Sequence, residues 1–162
     1  MERFWVITAS ADHAAHGRAE GIVQACHGKT APLRRMRPGD GVVIYSPRTL
    51  MRGGAPVMAF SAIGRLAEGE AWQHDMGGGF VPWRRGVIWQ DAQPAPIHLL
   101  LNRLDLTRGQ TSWGMVFRYG HRELSRHDFA LIARAMLGMD KAQPDPHISP
   151  VNAECEPWAS FF

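Results

Sequence analysis

Residues 23–46 constrain this chain more than any other stretch. Val23-Gln24-Ala25-Cys26-His27-Gly28-Lys29 has the composition of a loop, and Thr30 can cap the segment that follows. Pro32 is tolerated in the first turn of a helix, so Thr30 to Arg37 reads as a short helix carrying Arg34, Arg35 and Arg37. Pro38-Gly39-Asp40-Gly41 then forces a turn. Val42–Tyr45 is a short apolar run, hence a buried strand, and it ends in Tyr45-Ser46-Pro47. The loop and the strand end form two walls of a small-ligand pocket, and the arginines beside them suit a phosphate backbone.

The remaining pattern is one of short strands with few helices. Phe4–Thr8, Val57–Leu66, Phe80–Trp89 and Trp113–Arg118 read as strands. Ser10 or Asp12 caps a helix running to about Arg18, and Ile97–Leu104 is a short helix or a packed connector. Ser125-Arg126-His127-Asp128 is a capping box, followed by Phe129, Ile132, Ala133 and Met136 at helical spacing, with Gly138 closing the helix. Parallel βαβ units are not evident. The pattern predicts an α+β fold, a small mixed sheet or open barrel flanked by short helices.

Charge divides the chain in two. The formal net charge is +3, yet the segment from Asp140 onward sets Lys141 against Asp140, Asp145, Glu154 and Glu156. The body is therefore more basic than the whole, which fits a polyanion partner. Residues 1–140 read as one domain, and residues 141–162, with Pro144, Pro146, Pro150 and Pro157, as an irregular tail dispensable for the pocket. No apolar run is long enough to span a membrane. The opening residues carry no signal-peptide pattern, which points to a cytoplasmic protein. Two cysteines, Cys26 and Cys155, make neither a disulfide framework nor a zinc site.

Catalytic motifs are thin. Gly28-Lys29-Thr30 imitates the end of a P-loop, but Val23 stands where the first glycine belongs. His13 and His16 have no partner at metal-ligand spacing, so no metal and no cofactor is expected. Six tryptophans are more suggestive. Trp83 precedes Arg84-Arg85, and Trp113 follows Thr111-Ser112. Aromatic rings interleaved with arginines can stack a base while holding its phosphate.

Eight short segments in order resemble the EVE-domain family, a branch of the PUA-like superfamily related to the YTH readers. They are Trp5-Val6-Ile7-Thr8; Cys26-His27-Gly28-Lys29; Leu33 to Asp40; Val42 to Ser46; Phe60 to Gly64; Pro82 to Arg85; Ser112-Trp113-Gly114; and the helix from Glu123 to Phe129. The resemblance implies a β-barrel-like sheet with a pocket for a modified, methylated base on DNA or RNA. It places Trp5, Thr8, Cys26, His27, Gly28, Lys29, Leu33, Tyr45, Ser46, Pro47, Trp83, Ser112 and Trp113 around the base. Trp83 and Trp113 are the stacking candidates, and Arg34, Arg35, Arg37, Arg84 and Arg85 would hold phosphates. A related hydrolase group of the ASCH type acts on acylated cytidine with Lys, Thr and Glu, but Lys29 and Thr30 are adjacent here rather than a turn apart. A protein-interaction module is the third alternative.

Overall fold

The computed structural model describes residues 1–24 and 30–139. Strands β1 (Phe4–Thr8), β2 (Ile22–Gln24), β3 (Gly41–Arg48), β4 (Pro56–Leu66), β5 (Trp72–Gln73), β6 (Trp83–Trp89), β7 (Ala95–Pro96) and β8 (His121–Leu124) form one sheet. Its order is β2-β6-β4-β3-β1-β8, with β5 beside β6 and β7 beside β4. The helices are α1 (Ala11–Glu20), α2 (Thr30–Arg35) and α3 (Arg126–Met136). The result is an α+β fold, a curled half-barrel sheet with few short helices. Among the described residues no helix is long and apolar enough to cross a membrane.

Two features depart from the sequence pattern. β1 and β3 are parallel, with Phe4 opposite Gly41 and Thr8 opposite Tyr45. Their connection passes through β2, which pairs with β6 at the other end of the sheet, so no simple βαβ unit appears in the sequence. Trp113–Phe117 is a 3-10 helix rather than a strand. Trp113, Val116 and Phe117 lie three and four residues apart, a helical spacing that turns all three toward one core cluster.

The sheet is buried on both faces. Phe4 and Val6 face a core built with Phe60, Ile63, Phe117, Phe129 and Ile132. Trp5 and Ile7 face the opposite cluster, with Val23, Leu33, Met36, Leu66 and Val87. That is why β1 reads as an unbroken apolar run rather than an alternating one. Phe129 stacks on Phe4 at 4.7 Å between ring centres, and each fully buried ring of this size contributes about 1.5–3 kcal/mol. The capping box is as the sequence predicts: Ser125 Oγ accepts the Asp128 N–H at 3.1 Å. Helix α1 runs two residues further than expected, to Glu20. It approaches β2 closely at Gly17, where a Cβ would fall 2.7 Å from the Ile22 carbonyl oxygen.

Buried Asp40 ties the basic segment to this frame. Its carboxylate accepts the Arg3 N–H at 3.1 Å, the Trp5 Nε1–H at 2.9 Å and the Arg37 N–H at 3.0 Å. The turn that follows α2 is thereby fastened to β1. The position of the arginines on α2 depends on that fastening.

Candidate nucleic-acid interface

A cleft of about 780 Å³ opens where β1 and β3, being parallel, both end. Thr8 and Ala9 close one side, continuing into Ser10 and His13 at the start of α1. Pro47, Arg48, Leu50 and Met51 follow from the end of β3. Gln24 ends β2, and Ala31, Pro32 and Arg35 belong to α2. Met76 and Phe80 reach in from the connection between β5 and β6, and Phe117 to His121 complete the wall before β8.

Backbone hydrogen bonds fix this outline. The Thr8 N–H donates to the Gly120 carbonyl at 2.9 Å, the Ala9 N–H to Tyr45 at 3.0 Å and the Asp12 N–H to Thr49 at 3.0 Å. Phe117 lies stacked on Tyr45 at 4.1 Å. Burial pushes the Tyr45 hydroxyl up to about 12, so it stays protonated. Ser10 Oγ is buried and forms no well-aligned hydrogen bond. Its pull on Asp12 nonetheless holds that carboxyl below the usual carboxylate range.

The electrostatics of the wall are one-sided. Arg35, Arg48, Arg118, His13 and His121 line the cleft, and none of the described lining residues is Asp or Glu. Burial, then the charge of Arg35, lowers the His121 pKa below the ordinary imidazole value. The His121 hydrogen bond to the Tyr119 backbone opposes that shift.

The residues expected around a base are distributed over three settings. Thr8 and Pro47 line the cleft, as does Arg35 from the expected phosphate contacts. Trp5, Leu33, Tyr45 and Ser46 are buried in the frame behind it. Trp5 is tied to Asp40, and Ser46 Oγ lies 2.7 Å from Ser61 Oγ, the extra residue of a bulge between β3 and β4. Trp83 is half-buried against the Trp5 cluster, and Trp113 packs edge-on to Phe117 at 6.5 Å. Neither is among the described lining residues, and Ser112 is exposed beside Trp113. Cys26, His27, Gly28 and Lys29 lie outside the described residues, as does the tail from Asp140 onward.

The expected phosphate contacts divide sharply. Arg34, Arg35 and Arg37 are exposed on and after α2. Arg84 and Arg85 are 3% and 5% exposed, and their charge is directed into the protein. Arg84 Nε donates to Gln24 Oε1 at 3.3 Å, and its guanidinium pairs with Glu20 at 3.5 Å. Arg85 donates to the carbonyls of Leu33 at 3.4 Å and Gly69 at 2.7 Å, and to that of Met36. As placed, this pair holds β6 to β2, α2 and the β4–β5 connection.

Sequence reasoning passed over several lining residues. Arg118-Tyr119-Gly120-His121 is an aromatic flanked by basic residues, the same signal that drew attention to Trp83-Arg84-Arg85. Met76 and Phe80 bracket the three glycines 77–79, all at positive φ, and read only as ends of a tip. A separate cluster, Asp105, His127 and Asp128, has ligand-type atoms within 4.8 Å of one another. Its groups are already engaged: Asp128 accepts the N–H of Asp105 at 2.7 Å and of Leu106 at 3.0 Å, and Ser125 Oγ donates to Asp105 at 3.2 Å. It is a cap that fastens residues 105–106 to α3.

The EVE domain family matches residues 3–135, nearly the whole described body. The chain belongs to the EVE-domain family. A UPF0310 protein from Mesorhizobium japonicum, msl3206, is 49% identical over 138 residues, covering 84% of this chain and 93% of its own. The UPF0310 protein in the gntR 5' region of Bacillus licheniformis is 38% identical over 128 residues, covering 79% of this chain and 87% of its own. In structure, this EVE domain is similar to the Agrobacterium tumefaciens protein Atu2648, with a TM-score of 0.53 at 11% identity over 82% of this chain and 91% of that one. Rpa0253 from Rhodopseudomonas palustris gives 0.51 at 16% identity over 90% and 99%. At such low identity the two structures speak for the fold of the EVE domain alone.

Proposed function

We propose that this EVE domain binds nucleic acid through the cleft and accepts a modified base there. One observation carries the reading: Arg35, Arg48, Arg118, His13 and His121 converge on an apolar cleft whose described lining includes no carboxylate. Cations supply affinity for phosphates in a salt-dependent way. The apolar residues Pro32, Pro47 and Leu50 suit the body of a base, and the Thr8 hydroxyl and His121 suit its polar edge. Arg34 and Arg37, exposed beside Arg35, extend the charged path along α2.

The expected discrimination is modest. One methyl group transferred from water into an apolar wall contributes about 0.8 kcal/mol, close to fourfold in affinity. Fluorescence anisotropy with matched strands carrying adenine or N6-methyladenine, and cytosine or 5-methylcytosine, measures it. The reading predicts tighter binding of at least one modified strand. Equal binding of every modified and plain pair would leave a nonspecific nucleic-acid binder. No binding at low salt would remove the nucleic-acid reading altogether.

A further inference from the structure

The cleft is larger than its proposed occupant. Its volume of about 780 Å³ lies in the upper part of the range that takes drug-sized ligands, and a lone nucleobase is smaller than such a ligand. Two large aromatic side chains of the wall are also left open to solvent: Phe80 is 45% exposed and Tyr119 71%. They lie just ahead of β6 and β8, strands near the two ends of the sheet order, and the curl of the sheet brings them to one cleft.

Both rings stand on hydrogen-bonded turns. At the β5–β6 tip the Met76 N–H donates to the Phe80 carbonyl at 3.0 Å, and the Phe80 N–H to Gly77 at 3.2 Å. Asp75 closes the same tip by accepting the Gly77 N–H at 2.8 Å. Tyr119 precedes Gly120, whose carbonyl is held by Thr8. Exposed aromatics on fixed supports, next to Arg118 and Arg48, are what base stacking beside a phosphate chain requires.

We propose that the cleft takes a single strand of at least three nucleotides, with the bases flanking the central one stacked on Phe80 and Tyr119. This rests on the nucleic-acid reading above and narrows it. A base flipped from an intact duplex leaves its neighbours paired and stacked on one another, so their faces do not reach either ring. A single strand presents splayed bases to both.

The test uses the full chain and a short fluorescein-labelled strand with a central N6-methyladenine or 5-methylcytosine, in DNA and RNA forms. It is offered alone, annealed to its complement, and in competition with the free modified nucleoside. The single strand should bind at least about tenfold tighter than the duplex. Phe80→Leu and Tyr119→Leu, which keep apolar bulk and remove the ring, should each weaken strand binding by about 5- to 150-fold while leaving nucleoside competition unchanged. Phe80→Trp should restore it. Leu99→Ala, exposed outside the cleft, should bind like the wild type. Duplex bound as tightly as single strand would overturn the proposal, as would ring-less variants that bind normally while Arg35→Ala binds weakly. In either case the reading of the cleft as a nucleic-acid site stands. Absence of binding to every oligonucleotide by the wild type sinks both.

Discussion

Two groups of arginines, alike in the sequence, do opposite things in the molecule. Arg84 and Arg85 lie buried on β6, with their guanidinium groups directed at Gln24, Glu20 and three backbone carbonyls. Arg35 and Arg118 line an open cleft, together with Arg48, whose guanidinium also donates to the Gly54 carbonyl at 2.7 Å. The first group holds elements together, and the second gives the wall its sign. The difference shows that a cluster of arginines beside an aromatic residue does not identify a ligand surface until the direction of each side chain is known. On a strand the direction alternates and neighbouring elements cover either face, so Trp83-Arg84-Arg85 carries less information about function than its composition suggests.

The largest effect is expected at Arg85. Arg85→Ala removes the donor for the Leu33, Met36 and Gly69 carbonyls and should lower stability by about 3 kcal/mol, read from urea unfolding. A loss under about 0.5 kcal/mol, the usual range of a surface substitution, would erase the distinction drawn here. Asp40→Ala comes next. It strands the indole N–H of Trp5 and two backbone N–H groups, and should destabilise by about 2 kcal/mol. It should also weaken oligonucleotide binding at temperatures where the protein is still folded, because α2 loses its fastening to β1.

The cleft arginines should respond in the opposite way. Arg35→Ala and Arg118→Ala should leave stability within about 0.5 kcal/mol of the wild type. Each should reduce the slope of log affinity against log salt by roughly 0.7 on a single strand. Arg84→Ala should leave that slope unchanged. If it falls by the same amount, Arg84 reaches phosphate in the complex and the two groups are not separate.

The smallest expected effect concerns His121. Folding lowers its pKa below the ordinary 6.5, through burial and then the Arg35 charge. As pH falls below that value the unfolded chain takes up the proton first, so the folded state loses stability on the acid side. The contribution is complete above the ordinary value and declines toward the folded one. His121→Gln should flatten that part of the stability–pH curve. An unchanged curve would mean that His121 is no more desolvated than an open imidazole.

Much of the fold was legible because it rests on local rules. Ser125 and Asp128 announce the start of α3, and the run Phe4–Thr8, rich in aromatic and β-branched residues, announces a strand. The parallel pairing of β1 with β3 was not legible, since β2 departs to pair with β6 and the return depends on contacts distant in sequence. The site was legible only in part for the same reason. Thr8, Pro47 and Arg35, which line the cleft, flank recognisable segments, whereas Phe80, Arg118 and Tyr119 gain meaning only when the sheet curls and brings its ends to one opening. Trp5 and Ser46 lie within the matching segments, yet their polar atoms are engaged by Asp40 and Ser61. The resemblance there reflects the frame around the cleft as much as its lining.

The pairing of β1 with β8 has a consequence for how the protein is made. Phe4 lies opposite Leu124, and the cleft draws lining from Thr8 through His121. A ribosome-bound chain therefore has most of its strands available well before it has the cleft. The strand that closes the wall is translated nearly last, together with the helix that covers Phe4. Synthesis halted ahead of residue 121 should yield a product without the cleft, so that on the proposed reading nucleic-acid capture reports that the domain has been completed.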